Sequence, residues 1–385
     1  MGTNYKHRLN WTDGMKINKN HFIDLEDSLI QLMASSTSSL LSKNSYGLLP
    51  DNNPNAQPVD IKLSMDGAQS VEIVLRKCNA VTLGGDLIYI TDELNSFYEQ
   101  TGRRLQTTIQ SSNDDVHSWY VVISANPFSR IPIGIADPQE EPARQPHILP
   151  EYKLNVVPEN DYTLEEIGIN HLTIAKITLS ENGFQLMEDY IPPCTSIQSH
   201  PDLRYTYTEI GSFFNVIEHS CIQVIQKILQ KKQSNQLASM VMTLVTDVRM
   251  SLNTIIPQYR IVDKHSIPSE MIVKVMTLAR VIKGSLDIYA GTGKEELINY
   301  LTSWCDTNQG SFENAIEEMV NLKYEHRDIN NNLIQISNFT VLMITLFKKI
   351  SELDYIGKKS DSNIFVKEDV IVEEEVKKRR RFFME

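Results

Sequence analysis

The stretch that decides the fold is DYIPPCTSIQSHPDLRYTYTEIGSFFNVI, residues 189–217, because the spacing of apolar residues changes across it. Before it, apolar residues alternate with polar ones, the period of two that is typical of β-strands. After it, from about residue 212, they recur at intervals of three and four, which is the period of an α-helix. The sequence therefore predicts a multi-domain α+β chain, with an N-terminal β domain followed by an α-helical bundle.

The β region is predicted over about residues 59–190. Val71, Ile73 and Leu75 alternate with their neighbours, and residues 119–123 are typical of a buried strand. Residues 174–186 predict a hairpin with an Asn-Gly turn. This succession of strands predicts a β-sandwich. Between the strands, PIGIADPQEEPARQPHILP (residues 132–150) holds five prolines and predicts a long exposed loop.

Helices are predicted on both sides of the β region. Near the N-terminus, apolar residues from Ile23 to Met33 recur at helical spacing, and Asn18 or Asn20 can cap a helix that begins near His21. Beyond residue 212, two apolar series precede Pro257, and further helices are predicted at about 268–289, 294–306, 311–323 and 329–353. We expect three parts: a β domain with its N-terminal arm and helix (1–195), a helical bundle (196–355) and a flexible tail (356–385).

Composition and motifs argue against several function classes. The net charge of -12 makes nucleic acid an unlikely main partner, and the four cysteines are expected to be reduced and mostly buried. AGTGKE (residues 290–295) lacks the residues of a phosphate loop, so we expect a helix stop at Gly291 or Gly293 and a capping box of Thr292 with Glu295. We expect no catalytic residues, no metal, no cofactor and no small-molecule substrate, since an Asp13–His21 pair has no third catalytic group beside it.

The N-terminal stretch HRLNWTDGMKINKNHF (residues 7–22) resembles a family signature. Trp11, Gly14, Met15, His21 and Phe22 match the pattern W-x-E-G-M followed by H-F in TssK, the baseplate subunit of type VI secretion systems. Asp13 stands where that pattern has Glu, and Lys19-Asn20 stands for Pro-Gln. The chain is thereby identified as resembling the TssK family.

Two later segments extend this resemblance to about residues 7–350. Ile191-Pro192-Pro193-Cys194 with His200-Pro201-Asp202-Leu203 resembles the family's I-P-P-C and S-P-x-L segments, which lie where its β domain ends. Residues 267–286 match the family's H-P-E helix more loosely, with Ile267 in place of His. The resemblance implies a β-sandwich shoulder related to phage receptor-binding proteins, an α-helical neck and a homotrimer.

The resemblance also implies a function, which is structural and not enzymatic. TssK proteins link the TssF and TssG wedge subunits, and so the contractile tail, to the membrane-anchoring complex, in the cytoplasm at the inner face of the inner membrane. We expect Trp11, Gly14, Met15, His21 and Phe22 to contact the wedge. Family members usually continue into a folded head domain, whereas the tail here is short, as expected for a divergent branch like that of the Bacteroidota.

The tail ends in a basic and aromatic run, which is expected to contact membrane-complex proteins in place of the head domain. Its residues are Lys377, Lys378, Arg379, Arg380, Arg381 and Phe382. A solvated end without a partner is the alternative, because acids also occur in this segment.

Two other functions remain open from the sequence alone. The chain could be a phage tail receptor-binding or adaptor protein, which neighbouring capsid and terminase genes would indicate. It could also be a small-molecule enzyme with the proline-rich loop as a lid, although no nucleophile, metal or phosphate motif supports that.

Overall fold

The computed structural model describes residues 6–51, 53, 57–65, 70–110, 117–161, 168–180, 183–305 and 307–357. The chain divides into two compact units. The first comprises the residues up to Pro201 together with Glu325–Asn330, and the second comprises Asp202–Tyr324 and the residues from Asn331 onward. Most of the expected tail, including Lys377–Phe382, lies outside the described residues.

The first unit contains two antiparallel sheets and two helices within its described residues. In the five-stranded sheet, the central strand β3 pairs with the other four strands, whereas the four-stranded sheet has the order β7-β6-β8-β9. The elements in chain order are α1 (Lys19–Leu40), β1 (Gly47–Leu48), β2 (Val59–Met65), β3 (Ser70–Val81), β4 (Leu87–Ile90), α2 (Asp92–Gln100), β5 (Gln106–Gln110), β6 (Ser118–Ile133), β7 (His147–Pro158), β8 (His171–Ser180) and β9 (Gly183–Leu186).

The strands predicted from alternation are present. Val71, Ile73 and Leu75 of β3 are buried, and the hairpin of β8 and β9 pairs Ser180 with Gly183. The prediction of a long loop over residues 132–150 was wrong at both ends, because β6 extends to Ile133 and β7 begins at His147. Prolines fit there because β6 pairs with β8 only over residues 118–124, so its later part forms hydrogen bonds to β7 alone.

Helix α2 was not predicted, although its start carries ordinary capping signals. Thr91 Oγ1 accepts a hydrogen bond from the Leu94 N–H at 3.3 Å, and Asp92 and Glu93 occupy the first turn, where carboxylates favour the positive end of a helix. The helix buries Tyr98, whose hydroxyl donates to the Pro150 carbonyl at 2.6 Å. A helix of nine residues is too short for its apolar periodicity to be recognised.

The Ile191–Cys194 segment is held on two sides inside the first unit. On one side, the Leu48 N–H donates to the Pro193 carbonyl at 2.8 Å, and a Cβ on Gly47 would lie 2.1 Å from that oxygen. On the other side, Ile329 N–H donates to the Ile191 carbonyl at 3.2 Å. The chain segment 325–330 therefore belongs to the first unit through backbone hydrogen bonds as well as proximity.

Buried His326 anchors the same returning segment. Its Nε2 donates to the Tyr46 carbonyl at 2.8 Å, and the two rings meet edge to face with centroids 5.0 Å apart. Burial lowers the pKa of His326 to about 4, against the opposing effect of the Tyr46 hydrogen bond. The imidazole is therefore neutral at pH 7, with its proton on Nε2.

The second unit is built from helices joined by turns within its described residues. Its helices are α3 (Pro201–Gln230), α4 (Gln236–Ile261), α5 (Pro268–Asp287), α6 (Lys294–Thr302), α7 (Gln309–Val320) and α8 (Ile329–Glu352), of which the first residues of α3 and α8 belong to the first unit. The predicted helices beyond residue 268 are confirmed to within a few residues. Helix α4 continues through Pro257 to Ile261. Pro257 and Asn253 lie on the exposed side of the helix, where water can satisfy the carbonyl that proline leaves without a donor.

The predicted capping box before α6 was wrong. Gly293, with φ of 139°, is the N-cap of this helix and has no side chain to accept a hydrogen bond. Thr292 Oγ1 instead donates to the Tyr289 carbonyl at 3.2 Å. The predicted helix stop is confirmed, since Gly291 and Gly293 both have positive φ.

Helix α8 is long and apolar enough to cross a membrane by length and composition alone. Half of this apolar stretch is buried inside the protein, including Leu333, Ile336 and Phe339. A core helix of a folded protein passes the same test, so the apolar character of α8 is explained by packing.

Candidate interaction surface

The N-terminal motif begins with a tight turn. Met15 N–H donates to the Thr12 carbonyl at 3.2 Å, and Gly14 has φ of 78°. Nothing lies within 4 Å of the place where a Cβ on Gly14 would be, so backbone conformation, rather than space, calls for glycine. The turn directs the chain from Trp11 towards the start of α1.

The helix start uses His21 in a capping box. Asn18 Oδ1 accepts a hydrogen bond from the Asn20 N–H at 2.9 Å, and His21 Nδ1 accepts one from the Asn18 N–H at 3.1 Å. His21 thus takes the position that Glu or Gln usually occupies in this motif. The Trp11 ring meets the His21 ring edge to face, with centroids 6.4 Å apart. His21 therefore serves to start the helix and to support Trp11.

The inward side of α1 is held by ion pairs at its N-terminal half. Buried Asp27 lies 2.8 Å from an Arg130 nitrogen and 3.0 Å from Lys6 Nζ, and Arg130 also reaches Glu26 at 2.5 Å. Burial opposes ionisation of Asp27, but the hydrogen bonds from Arg130 and Lys6 outweigh it and hold the pKa of this carboxyl below its ordinary value. A charged cluster therefore ties α1 to strand β6.

The C-terminal half of α1 lies against the turn between β3 and β4. Ser38 Oγ donates to the Leu83 carbonyl at 2.9 Å. A Cβ on Gly85, which has φ of 86°, would lie 2.0 Å from the Ala34 carbonyl oxygen. This close approach requires glycine on both steric and conformational grounds.

The opposite side of α1 is an exposed apolar stripe. Its residues are Phe22, Leu29, Leu32, Met33 and Leu40, which are 59%, 50%, 54%, 71% and 86% exposed. At about 100° per residue, all of them except Leu32 lie within about 40° of one another around the helix axis. An exposed apolar line of this kind is a candidate interaction surface.

A cavity adjoins the stripe. It has a volume of about 320 Å³, and its walls are mostly apolar, with Met33, Ala34, Leu87 and Pro127 among them. Asp86 also lines it, and burial raises the pKa of this carboxyl to about 6. The cavity is large enough to accept an apolar side chain from a partner.

The residues expected to bind the wedge lie at the start of α1, where Phe22 is also the first residue of the stripe. Trp11 and Phe22 are exposed, Met15 and His21 are partly buried, and Gly14 shapes the turn. Sequence reasoning missed Leu29, Leu32, Met33 and Leu40 as surface residues, because helical spacing alone does not tell which face is covered.

No catalytic centre emerges from the residues that the structure describes. They contain no group of three or more His, Cys, Asp and Glu side chains that could hold a metal ion. All four cysteines are free and buried, as predicted, and burial raises the thiol pKa of Cys78 to about 12. His21, the one histidine weighed for catalysis, is engaged in helix capping.

No family model and no curated protein matches the sequence. Among solved structures, the chain is similar to a crystal structure of TssK, with a TM-score of 0.49 and 13% identity over 88% of this chain and 68% of that chain. It is also similar to TssK from the EAEC type VI secretion system in complex with a nanobody (TM-score 0.45, 13% identity, 84% and 99% covered). A third similar chain belongs to a TssK-TssF-TssG baseplate subcomplex (TM-score 0.43, 11% identity, 90% and 99% covered). Each similarity extends over most of this chain, and at these identities none of them by itself assigns a function.

Proposed function

We propose that this chain is a TssK-type structural subunit of a type VI secretion baseplate, which links the TssF and TssG wedge to the membrane-anchoring complex. In this proposal it is a homotrimer without enzymatic activity, located in the cytoplasm at the inner face of the inner membrane. The first unit then corresponds to a β-sandwich shoulder related to phage receptor-binding proteins, and the second to the helical neck. The observation that carries the proposal is the exposed surface of Trp11, Phe22 and the apolar stripe of α1.

The local geometry gives the matching motif residues separate roles in presenting this surface. Gly14 permits the turn, and His21 starts the helix and contacts Trp11. Trp11 and Phe22 remain largely exposed at 46% and 59%. The residues that resemble the TssK signature are therefore the ones that present two large apolar side chains to a partner.

The chemistry of the stripe indicates what the partner supplies. Burial of apolar area stabilises a complex by about 25 cal/mol per Å². The one acid beside the line from Phe22 to Leu29 is Glu26, which is paired with Arg130 at 2.5 Å. A partner segment rich in apolar side chains, with one that enters the cavity beside Met33, would cover it. A broad apolar contact suits a subunit that must anchor a contracting machine, and the resemblance names TssF and TssG as its partners.

The direct test is binding of the purified TssF–TssG wedge from the same genome to Leu29→Asp. A buried, unpaired carboxylate in an apolar contact is costly, so we expect the dissociation constant to rise at least about tenfold, or roughly 1.4 kcal/mol. The matched control is Ser35→Asp, which adds the same charge at an exposed position of α1 outside the stripe. Wedge binding by Leu29→Asp at wild-type affinity, with circular dichroism unchanged, would contradict the proposal.

The membrane-facing contact is assigned in this proposal to the C-terminal end, through Lys377, Lys378, Arg379, Arg380, Arg381 and Phe382. Support comes only from their basic and aromatic chemistry in the sequence. A chain that stops before Lys358 is expected to keep wedge binding and to lose recruitment by the membrane complex in cells. Unchanged recruitment would remove the tail from the proposed function.

A further inference from the structure

The cavity beside the stripe is formed by several parts of the first unit. One wall consists of four residues of α1 that are spaced at helical intervals, Ile30, Met33, Ala34 and Thr37. The other walls come from the turn between β3 and β4 and from strands β6 and β7. Met33 also belongs to the stripe, so a partner that covers the stripe also reaches the mouth of the cavity.

A single acidic residue stands in these apolar walls. Of the described residues that line the cavity, Asp86 alone carries a charge, and it is only 8% exposed. Its backbone is fixed by Thr82, because the Asp86 N–H donates to Thr82 Oγ1 at 3.1 Å and the Asp86 carbonyl accepts from the Thr82 N–H at 2.9 Å. These contacts hold the residue in place and leave its carboxylate unused.

The buried carboxylate of Asp27 provides the contrast. Asp27 is 5% exposed, and hydrogen bonds from Arg130 and Lys6 hold its pKa below the ordinary value. For Asp86, no cation and no hydrogen-bond donor among the described residues offsets burial, which raises the pKa of this carboxyl to about 6. At pH 7 most Asp86 carboxyl groups are therefore ionised, buried and unpaired, which is a state that costs free energy.

The size of the cavity limits what can reach Asp86. Its volume of about 320 Å³ is at the low end of the roughly 300–1,000 Å³ that is typical of small-molecule pockets, and it suits one long side chain. An apolar side chain would fill the cavity, but it would exclude water from the Asp86 carboxylate without replacing the lost hydrogen bonds. The occupant that satisfies both the walls and the carboxylate is apolar along its length and cationic at its end.

Lysine fits this description better than arginine. Its four-carbon stem can lie along Met33 and Leu87, and its ammonium group is a compact charge that a single carboxylate can neutralise. The planar guanidinium group of arginine carries additional donors, and the described walls offer no second carboxylate to accept from them.

We propose that the cavity is a specificity pocket for a lysine side chain of the wedge, whose stem lies between α1 and the β3–β4 turn and whose ammonium group pairs with Asp86. This inference rests on the proposed function and adds the one charged group that the partner brings to an otherwise apolar contact. An apolar stripe alone gives affinity, whereas a buried ion pair at one end of the contact fixes the position of the partner along α1.

The first experiment measures binding of the purified TssF–TssG wedge from the same genome to Asp86→Asn. Asparagine keeps the shape of the side chain and removes its charge, so we expect the dissociation constant to rise at least about tenfold. The free variant is expected to be at least as stable as wild type in urea at pH 7, because it no longer buries an unpaired charge. A residue with a purely structural role would not combine weaker binding with undiminished stability.

The matched control is Asp24→Asn, which removes the same charge from an exposed position of α1 outside the stripe. We expect this variant to bind the wedge with wild-type affinity. The comparison separates the loss of the pocket carboxylate from a general change in net charge.

The second experiment identifies the partner residue. A water-soluble carbodiimide, present while the complex forms, activates a carboxyl group; a lysine amine then attacks the activated carbon, a urea leaves and an amide bond remains. Mass spectrometry is expected to find Asp86 joined to one lysine of TssF or TssG. Replacement of that lysine by methionine is expected to weaken binding to wild type about tenfold and to leave binding to Asp86→Asn unchanged.

The outcomes separate this inference from the proposed function. Binding of Asp86→Asn at wild-type affinity, while Leu29→Asp is impaired, would overturn the lysine pocket and leave the proposed function standing. Weaker binding of Asp86→Asn without any wedge lysine coupled to it would overturn lysine as the occupant. Failure of the wild-type chain to bind the wedge would overturn the proposed function, and this inference with it.

Discussion

Helices α1 and α3 each leave one face exposed, and the two faces differ in chemistry. The stripe of α1 is apolar, with Met33 and Leu40 71% and 86% exposed. The exposed line of α3, which we call the α3 seam, is uncharged but mostly polar, and its residues are Tyr205, Thr208, Ser212, Asn215, His219, Ile222, Gln226 and Leu229. Buried apolar area gives affinity, whereas exposed polar side chains already form hydrogen bonds with water. The difference teaches that exposed apolar area, rather than exposure alone, distinguishes a candidate binding face from an ordinary solvated one.

The two helices also differ in how they are held. Helix α3 buries a full apolar face, whereas the residues of α1 that are buried are Asp27 and Ser28. Helix α1 is therefore held by ion pairs and by close backbone approach to the β3–β4 turn. The presentation of the stripe depends on a few specific contacts, and that of the seam depends on the core of the second unit.

The largest expected effect is a difference in folding stability between a substitution on the buried face of α3 and one on its exposed face. Phe213→Ala removes a fully buried ring and is expected to lower the free energy of unfolding by about 3–5 kcal/mol. Ile222→Ala, on the seam, is expected to cost less than about 1 kcal/mol, because this side chain is already partly in water. Urea denaturation measures both losses. Equal losses of folding stability would mean that the seam belongs to the core.

The next largest effect is expected at the contact between α1 and the β3–β4 turn. Gly85→Ala meets the Ala34 carbonyl and a positive φ at once, so we expect roughly 2–4 kcal/mol of destabilisation in the first unit and weaker wedge binding. The matched control is Gly102→Ala, which also has positive φ but has nothing within 4 Å of the new Cβ. Identical losses in thermal denaturation for the two variants would show that contact with α1 is unimportant.

The third prediction uses pH to test two buried ionisable groups of the first unit. The pKa of His326 is lowered to about 4 from 6.5, so the unfolded chain binds a proton between these values and the folded chain does not. The stability contributed by His326 is present above pH 6.5 and is lost as pH falls towards 4, by about 3 kcal/mol. Asp86 acts in the opposite direction, since its raised pKa of about 6 favours the folded state as pH falls from 6 to 4.

The measurement compares denaturation of wild type, His326→Gln and Asp86→Asn at pH 7 and pH 4. His326→Gln is expected to become more stable relative to wild type at pH 4, and Asp86→Asn less stable. Differences that do not change with pH would contradict both assignments.

The sequence predicts which segments form helices and strands better than it predicts which side of a helix is exposed. The apolar spacing places α1 and the helices beyond residue 268 within a few residues, and the Asn-Gly pair places the β8–β9 hairpin. It does not predict that Asp27 is buried while Leu29 is exposed, because that depends on Arg130, about a hundred residues away. Helical periodicity identifies an apolar face of a helix but does not show what packs against that face.

The α3 seam could not be found from hydrophobic periodicity at all. Thr208, Ser212 and Asn215 are polar, so the pattern that predicts helices ignores them. Their common property is exposure without charge, which requires a structure to recognise. The predicted N-cap is confirmed at Asn18, but the part that His21 plays in the capping box was not predicted, because His21 there takes the place of the usual Glu or Gln.

The return of Glu325–Asn330 to the first unit has a consequence for synthesis of the protein. The hydrogen-bond partners of the Tyr46 and Ile191 carbonyls, His326 and Ile329, are translated only after most of the second unit. The first unit therefore cannot complete its native contacts as it leaves the ribosome. Until Asn330 has emerged, these two carbonyl groups lack their native partners, so the first unit completes its contacts only late in synthesis.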